Sequence, residues 1–228
     1  MRKALLAGEF ASGERIFETD VAAMLGVSRV PVREAVRRLQ QDGLLEVRPR
    51  SGNYVTSISP TEADDIYRIR AALEGTAAGL AAERITEREL LALKQLLHRQ
   101  DEETRLEKTS PRAKSSVSQS SVVTRADEFH RAVHMYARSP RLYELLELIY
   151  AQVMQFRNIT LRMPGRAEAA SHGHHALYDA LSCHDAVEAE RLMRAHVDSA
   201  RRSLLSHLAE MTDAGSLIQS AAGARAHE

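Results

Sequence analysis

Apolar residues recur at intervals of three and four along most of the chain, and only around residue 50 does the spacing shorten. Between Thr19 and Leu39, Val21, Ala22 and Leu25 fall on one face of a first short helix, and Val32, Ala35, Val36 and Leu39 on one face of a second. Gly26 supplies the left-handed residue that leaves the first helix, and Val27 is expected as a buried pivot between the two. Ser28 is placed to cap the second helix, and Pro31 sits in its first turn, where a missing N–H breaks no bond. Gly43 ends it. Residues 44–47 then read as a strand, 48–52 as a Pro/Gly turn and 53–58 as a returning strand.

After Pro60 the helical period returns and holds. Ile66, Ile69, Leu73 and Leu80 predict the inward stripe of a helix from Thr61 to about Arg84, and Thr86-x-x-Glu89 is a capping box that opens the next, with Leu90, Leu93, Leu96 and Leu97 inward. Residues 109–121 are Ser-rich with little to bury and read as a mobile loop. Further helices are expected from Val122 to Ala137, from Ser139-Pro140 to about Arg162, from Ala167 to Cys183 and from Asp185 to Leu208. The pattern makes a mostly α chain: a winged helix-turn-helix over 1–60, an all-α antiparallel helical bundle over 61–211, and a flexible tail over 212–228.

Charge sharpens the first of these. Arg29, Arg33, Arg37 and Arg38 lie on the outward face of the second short helix, and Arg48 and Arg50 on the turn between the strands. A basic helix presented beside a basic-tipped hairpin suits a DNA major groove and its flanking phosphates. The chain as a whole carries 31 Lys+Arg and 31 Asp+Glu, but residues 1–60 hold 9 and 7 of them, which leaves 22 and 24 for the rest. A surplus of 9 − 7 = 2 is small, so affinity has to come from where the arginines sit and from two copies acting together on an inverted repeat. Cys183 is the single cysteine, which excludes a disulfide framework, and no apolar run is long enough to span a bilayer. A soluble, cytoplasmic, homodimeric protein is expected.

GERIFETDVAAMLGVSRVPVREAVRRLQQDGLLEVRPRSGNYV resembles the DNA-binding domain of the GntR family of bacterial regulators, whose most specific signature is GVSRxPVREAxRxLxxxGL. The resemblance implies that Thr19, Ser28, Arg29, Pro31 and Arg33 approach DNA from the helices, and Arg50, Ser51 and Gly52 from the wing. Family members usually carry further residues before the helix that begins here at Met1. RIRAALEGTAAGLAAERI, DEFHRAVHMYARSPRL and HHALYDALSCHDAVEAERLMRAHV are similar, in that order, to the all-helical FCD-type ligand-binding domain of the FadR subgroup.

Three of the ten histidines fall on inward stripes of separate helices: His130 with Val123, Ala126 and Val133, His174 with Leu177 and Leu181, and His196 with Leu192, Met193 and Ala200. Each alone reads as a core histidine. Together, with Asp127 one turn from His130, they suit a divalent ion such as Zn²⁺, Ni²⁺ or Mn²⁺, with positions left over for water or an anion. Metal-binding FadR-like domains resemble this set but carry their Asp four residues before the first His, where this chain has Ala126; Asp127 is three before, and His134 is the reserve ligand. A small carboxylate effector needs a cation as well, for which Arg70, Arg162 and Arg166 are candidates, along with His134. The function expected is that of a DNA-binding transcriptional regulator, a repressor, controlled by an organic acid near a metal. A metal-free regulator, or a metal-dependent hydrolase or lyase built on the same histidines, are the rival readings.

Overall fold

The computed structural model describes residues 1–225 except 2–3, 6–9, 11–12, 57–58, 110–115 and 162, and within the helices the side chains of 106–109, 116–122 and 211–225 lie outside the described set. The helix expected from Met1 falls largely on undescribed residues. After it come β1 (Arg15–Ile16), α1 (Glu18–Leu25), α2 (Arg29–Gln41), β2 (Leu45–Arg48) and β3 (Gly52–Val55). The strands form one antiparallel sheet in the order β1-β3-β2, with Leu45 opposite Val55, Arg48 opposite Gly52 and Arg15 opposite Tyr54. The short β1 has no period to read and was absent from the sequence expectation.

Gly26 is left-handed at φ 64, and the Val27 N–H bonds back to the Ala22 carbonyl at 3.1 Å. That closure swings the next side chain outward, so Val27 is 45 % exposed and is not the buried pivot expected of it. Leu25, expected inward, is likewise exposed. The small core is instead Ile16, Val21, Ala22, Val32, Val36, Leu39, Leu44, Leu45 and Val55, with Ala151 of a distant helix completing it. Ser28 is the N-cap of α2 with extended backbone, but its hydroxyl makes no capping bond.

The remainder is helical: α3 (Pro60–Arg84), α4 (Glu87–Thr109), α5 (Ser116–Tyr136), α6 (Pro140–Thr160), α7 (Arg166–Ser182) and α8 (Ala186–Arg225). The Thr86–Glu89 capping box forms as read, Thr86 N–H donating to Glu89 Oε2 at 2.9 Å and Glu89 N–H to Thr86 Oγ1 at 3.4 Å. Helix α5 starts at Ser116 and not Val122, and α8 runs past Thr212 to Arg225.

The larger correction concerns α3. Ile69 is 47 % exposed, and the buried line is Ala63, Tyr67, Arg70, Glu74, Ala77, Ala78, Ala81 and Ala82. Two physical causes rotate the helix away from its aliphatic stripe. Its small residues allow α8 to pack against it closely: a Cβ at Gly75 would meet Cγ of Arg194 at 2.6 Å, and one at Gly79 the Ala186 carbonyl at 3.3 Å. The two charged residues pair with each other at 2.6 Å, which offsets part of the cost of burying them. Around this line Leu93, Leu97, Phe129, Val133, Phe156, Leu177, Leu181, Met193, Val197 and Leu204 close the main core.

Candidate nucleic-acid interface and metal centre

On α2 the arginines stand outward, and two of them share one counter-ion. Arg33 Nε donates to Glu18 Oε2 at 3.3 Å, while Arg29 lies 4.0 Å from the same oxygen. Gln40 fastens the helix to the sheet through Asn53 at 2.8 Å. On the wing, Arg48 pairs with Glu46 at 2.7 Å and lies over the Tyr54 ring at 4.3 Å, and the Ser51 hydroxyl meets the Tyr54 hydroxyl at 2.5 Å. Arg50 has φ 63, the strained conformation of a tight turn, and Gly52 has φ 115. Thr19 is exposed and bonds Asp20 at 3.1 Å. The basic helix and the basic wing tip thus belong to one small unit, with side chains held by Glu18, Glu46 and Tyr54, none of which the sequence pattern singles out.

In the bundle, α5, α7 and α8 bring His130, His174 and His196 together, one donor nitrogen of each lying within 4.8 Å of the other two. His130 and His174 are 2 % and 0 % exposed, and their Nε2 atoms are 3.1 Å apart. Burial lowers all three imidazole pKa values, next helped by the Arg157 guanidinium for His130 and by the neighbouring histidines for His174. For His196, burial and then the Arg70 guanidinium push it down to about 3. All three rings are therefore neutral at pH 7, the state in which imidazole binds metal. The close approach of His196 depends on Gly173, where a Cβ would collide with its Nδ1. Three neutral imidazoles, those of His130 and His174 buried and that of His196 partly so, fit a borderline divalent ion, which they would hold through nitrogen with coordination positions to spare.

Asp127 is not in this cluster. Its Oδ1 accepts from Arg157 at 3.0 Å and its Oδ2 from the Tyr150 hydroxyl at 2.9 Å. One residue of offset from the expected ligand position turns the carboxylate toward α6, where a buried cation claims it. The carboxylate near the histidines comes instead from α3: Glu74 Oε2 lies 2.5 Å from His130 Nδ1 and 3.7 Å from His134 Nε2, and Oε1 accepts from Arg70 at 2.6 Å. Burial alone would raise its pKa, but Arg70 and His130 outweigh that and hold it well below the usual carboxylate range. Arg157, 4 % exposed and 3.9 Å from Glu74, and Gln100, 2.8 Å from His174 Nδ1, were missed as well. Gln100 continues the inward line Leu90, Leu93, Leu97, and Glu74 is four residues from Arg70, so both left a spacing signal; Arg157 left none. Arg166 donates to Ser199 at 3.2 Å and has a buried Nε without a partner, and Arg162 lies outside the described residues.

Residues 1–55 match the bacterial regulatory proteins of the gntR family, and residues 65–199 match the FCD domain. The chain is 30 % identical over 207 residues to the HTH-type transcriptional regulator YdhC of Bacillus subtilis, covering 91 % of this chain and 84 % of that one. It belongs to the GntR family of transcriptional regulators, with a FadR-like FCD domain. The regulator is also 28 % identical to the HTH-type transcriptional repressor RspR of Escherichia coli, over 93 % of its own length and 89 % of the relative's. Its fold is that of E. coli McbR/YncC, with a TM-score of 0.73, 24 % identity and coverage of 91 % and 94 % of the two chains. Its chemistry is DNA binding, which sets aside the hydrolase or lyase reading of the histidines. Among the described residues, no helix of the regulator is long and apolar enough to cross a membrane.

Proposed function

We propose that the regulator is a homodimer that binds an inverted-repeat operator through Thr19, Ser28, Arg29, Pro31, Arg33, Arg48, Arg50, Ser51 and Gly52, as a repressor released or recruited by a small organic acid. The observation that carries the ligand half is the convergence of His130, His174 and His196 next to buried arginines. Charge balance gives the ligand its sign. Arg70 is matched by Glu74 and Arg157 by Asp127, so a divalent ion on the neutral imidazoles, together with Arg166, leaves a positive surplus that an anion would neutralise. Zn²⁺ or Ni²⁺ suits an all-nitrogen set better than Mn²⁺, which favours oxygen. The carboxylate would occupy the open positions on the ion and reach toward Arg166, with His134 flanking Glu74 behind it.

Two helices carry the site's state to the DNA-binding unit. Helix α3 follows the wing directly and bears Arg70 and Glu74. Helix α6 bears Arg157 and, on the turns before it, Ala151 in the core of the small domain, Gln152 against Gly43, and Gln155, which donates to the Thr56 carbonyl at 3.4 Å. An anion bound beside these groups shifts the balance between two arrangements of α3 and α6, and operator affinity changes only if the two arrangements bind that anion unequally.

The test is fluorescence anisotropy with labelled DNA from upstream of the regulator's own gene, run with chelator, with Zn²⁺, and with Zn²⁺ plus each of a panel of small carboxylates. A salt-dependent affinity that shifts only when Zn²⁺ and one carboxylate are both present is expected. Equal affinity in every arm would overturn the effector and metal parts of the reading, and a monomer in light scattering at saturating DNA would overturn the dimer.

A further inference from the structure

Two buried polar side chains outside the donor set each touch one of its imidazoles on the far nitrogen. Glu74, 2 % exposed, sets Oε2 at 2.5 Å from Nδ1 of His130, and Gln100, also 2 % exposed, sets Oε1 at 2.8 Å from Nδ1 of His174. An ionised carboxylate and an amide oxygen only accept hydrogen bonds. A neutral imidazole has one N–H, so in both rings the proton sits on Nδ1 and the lone pair on Nε2. Those two Nε2 atoms are the pair that lie 3.1 Å apart. With no proton on either, they cannot hydrogen-bond to each other, and two lone pairs face across the gap. A cation bound by both removes the conflict.

We infer that Glu74 and Gln100 are positioning residues that fix the tautomers of His130 and His174 so that both Nε2 atoms are committed to one shared cation. The inference rests on the metal reading above. It also explains how the site manages without the carboxylate expected one turn before His130. Asp127 is held by Arg157 and Tyr150, and Glu74, reaching in from α3, lies behind the His130 ring and not beside the donor nitrogen. Glu74 therefore acts through His130, as an outer carboxylate that orients a metal-binding imidazole. Arg70, donating to the other Glu74 oxygen at 2.6 Å, keeps that carboxylate ionised and in place.

Glu74→Gln tests this, because Arg70 can only donate. The amide oxygen must turn to Arg70, which leaves the NH₂ group facing His130 Nδ1; that nitrogen becomes the acceptor, and the ring proton moves to Nε2, where metal would bind. The measurements are long-range ¹H–¹⁵N spectra of the full-length, metal-free, ¹⁵N-labelled protein, which show the protonated nitrogen of each ring, and Zn²⁺ affinity by chelator competition. In the wild type both His130 and His174 are expected as Nδ1–H. In Glu74→Gln, His130 is expected as Nε2–H, with Zn²⁺ bound about 10–100-fold more weakly. The double variant Arg70→Met/Glu74→Gln frees the amide oxygen to return to His130, and should recover the Nδ1–H form and most of the affinity. Gln100→Leu removes the acceptor at His174 Nδ1, so that ring is expected to lose its fixed Nδ1–H form and Zn²⁺ to bind more weakly.

Nε2–H at either ring in the metal-free wild type would overturn the inference and leave the metal site itself standing. Weaker Zn²⁺ binding in Glu74→Gln with His130 still Nδ1–H would reduce Glu74 to a packing role and overturn it too. A wild type with both rings Nδ1–H that takes up no Zn²⁺ would overturn the metal reading, and with it the purpose assigned to these two residues.

Discussion

Replacing Gly173 by alanine adds one methyl group on α7 directly against the imidazole of His196. The new Cβ would sit 3.4 Å from Cγ and Cε1 of that ring and much closer to Nδ1. Heavy atoms settle at about 3.5–4.0 Å, so the ring must swing by about 1 Å. A zinc–nitrogen bond is about 2.0–2.1 Å long, and a displacement of half its length removes one of three protein donors. Two effects of opposite sign act on folding: alanine is favoured over glycine inside a helix by about 0.5–1 kcal/mol, and overpacking costs about 1–3 kcal/mol. His196 is only partly buried and can yield, so the smaller overpacking figure applies and the two nearly cancel. The expected result is a metal-free protein that melts within a few degrees of the wild type yet binds Zn²⁺ at least about tenfold more weakly. Chelator competition gives the affinity and thermal melts in excess chelator give the folding term. Unchanged Zn²⁺ affinity with an unchanged melt would refute the placement of His196 at the ion; a collapsed melt would refute the reasoning that the ring can give way.

Other perturbations separate the remaining parts. Asp127→Asn should leave Zn²⁺ affinity within a few fold but destabilise the fold by up to about 3–5 kcal/mol in urea melts, because Arg157, 4 % exposed, loses its nearest anion; loss of Zn²⁺ binding instead would make the carboxylate a ligand after all. Arg33→Ala should cost about 1–3 kcal/mol of operator binding by anisotropy and relax sequence preference, while Arg50→Ala should weaken specific and non-specific DNA alike and flatten the salt dependence. Metal-free stability should fall as pH drops: His196 takes a proton near 6.5 when unfolded but only at about 3 when folded, so between those values the unfolded chain binds more protons and is favoured. Urea melts at pH 5 and pH 7.5 check this, and equal or greater stability at pH 5 would contradict it.

The elements that were legible in the sequence are those where one residue type has one structural use. Gly26 and Gly43 adopt the left-handed conformation their positions called for, Thr86 and Glu89 form their reciprocal cap, and three histidines at helical spacing from leucines and alanines turn inward as their neighbours do. The failures have separate causes. An apolar stripe is read on the premise that buried means apolar, and α3 breaks it by burying Arg70 and Glu74 against each other while Ile69 stays outside. Asp127 was assigned by the side of the helix it shares with His130, which helical geometry supports; which neighbour on that side claims the carboxylate depended on Arg157, thirty positions away in sequence on another helix. Val27 failed for a smaller reason, since the turn closure that Gly26 makes possible also sets where the next side chain points.

The most direct measurement of the central claim is calorimetric titration of Zn²⁺ into chelator-stripped full-length protein, wild type beside His174→Ala. His174 is the most deeply buried of the three, at 0 % exposure, and touches both other rings. The expected result is one Zn²⁺ per chain in the wild type, a raised melting temperature on loading because the ion binds only the folded bundle, and loss of both in the variant. Equal Zn²⁺ binding by the two proteins, or none by the wild type, would contradict a metal centre built on His130, His174 and His196.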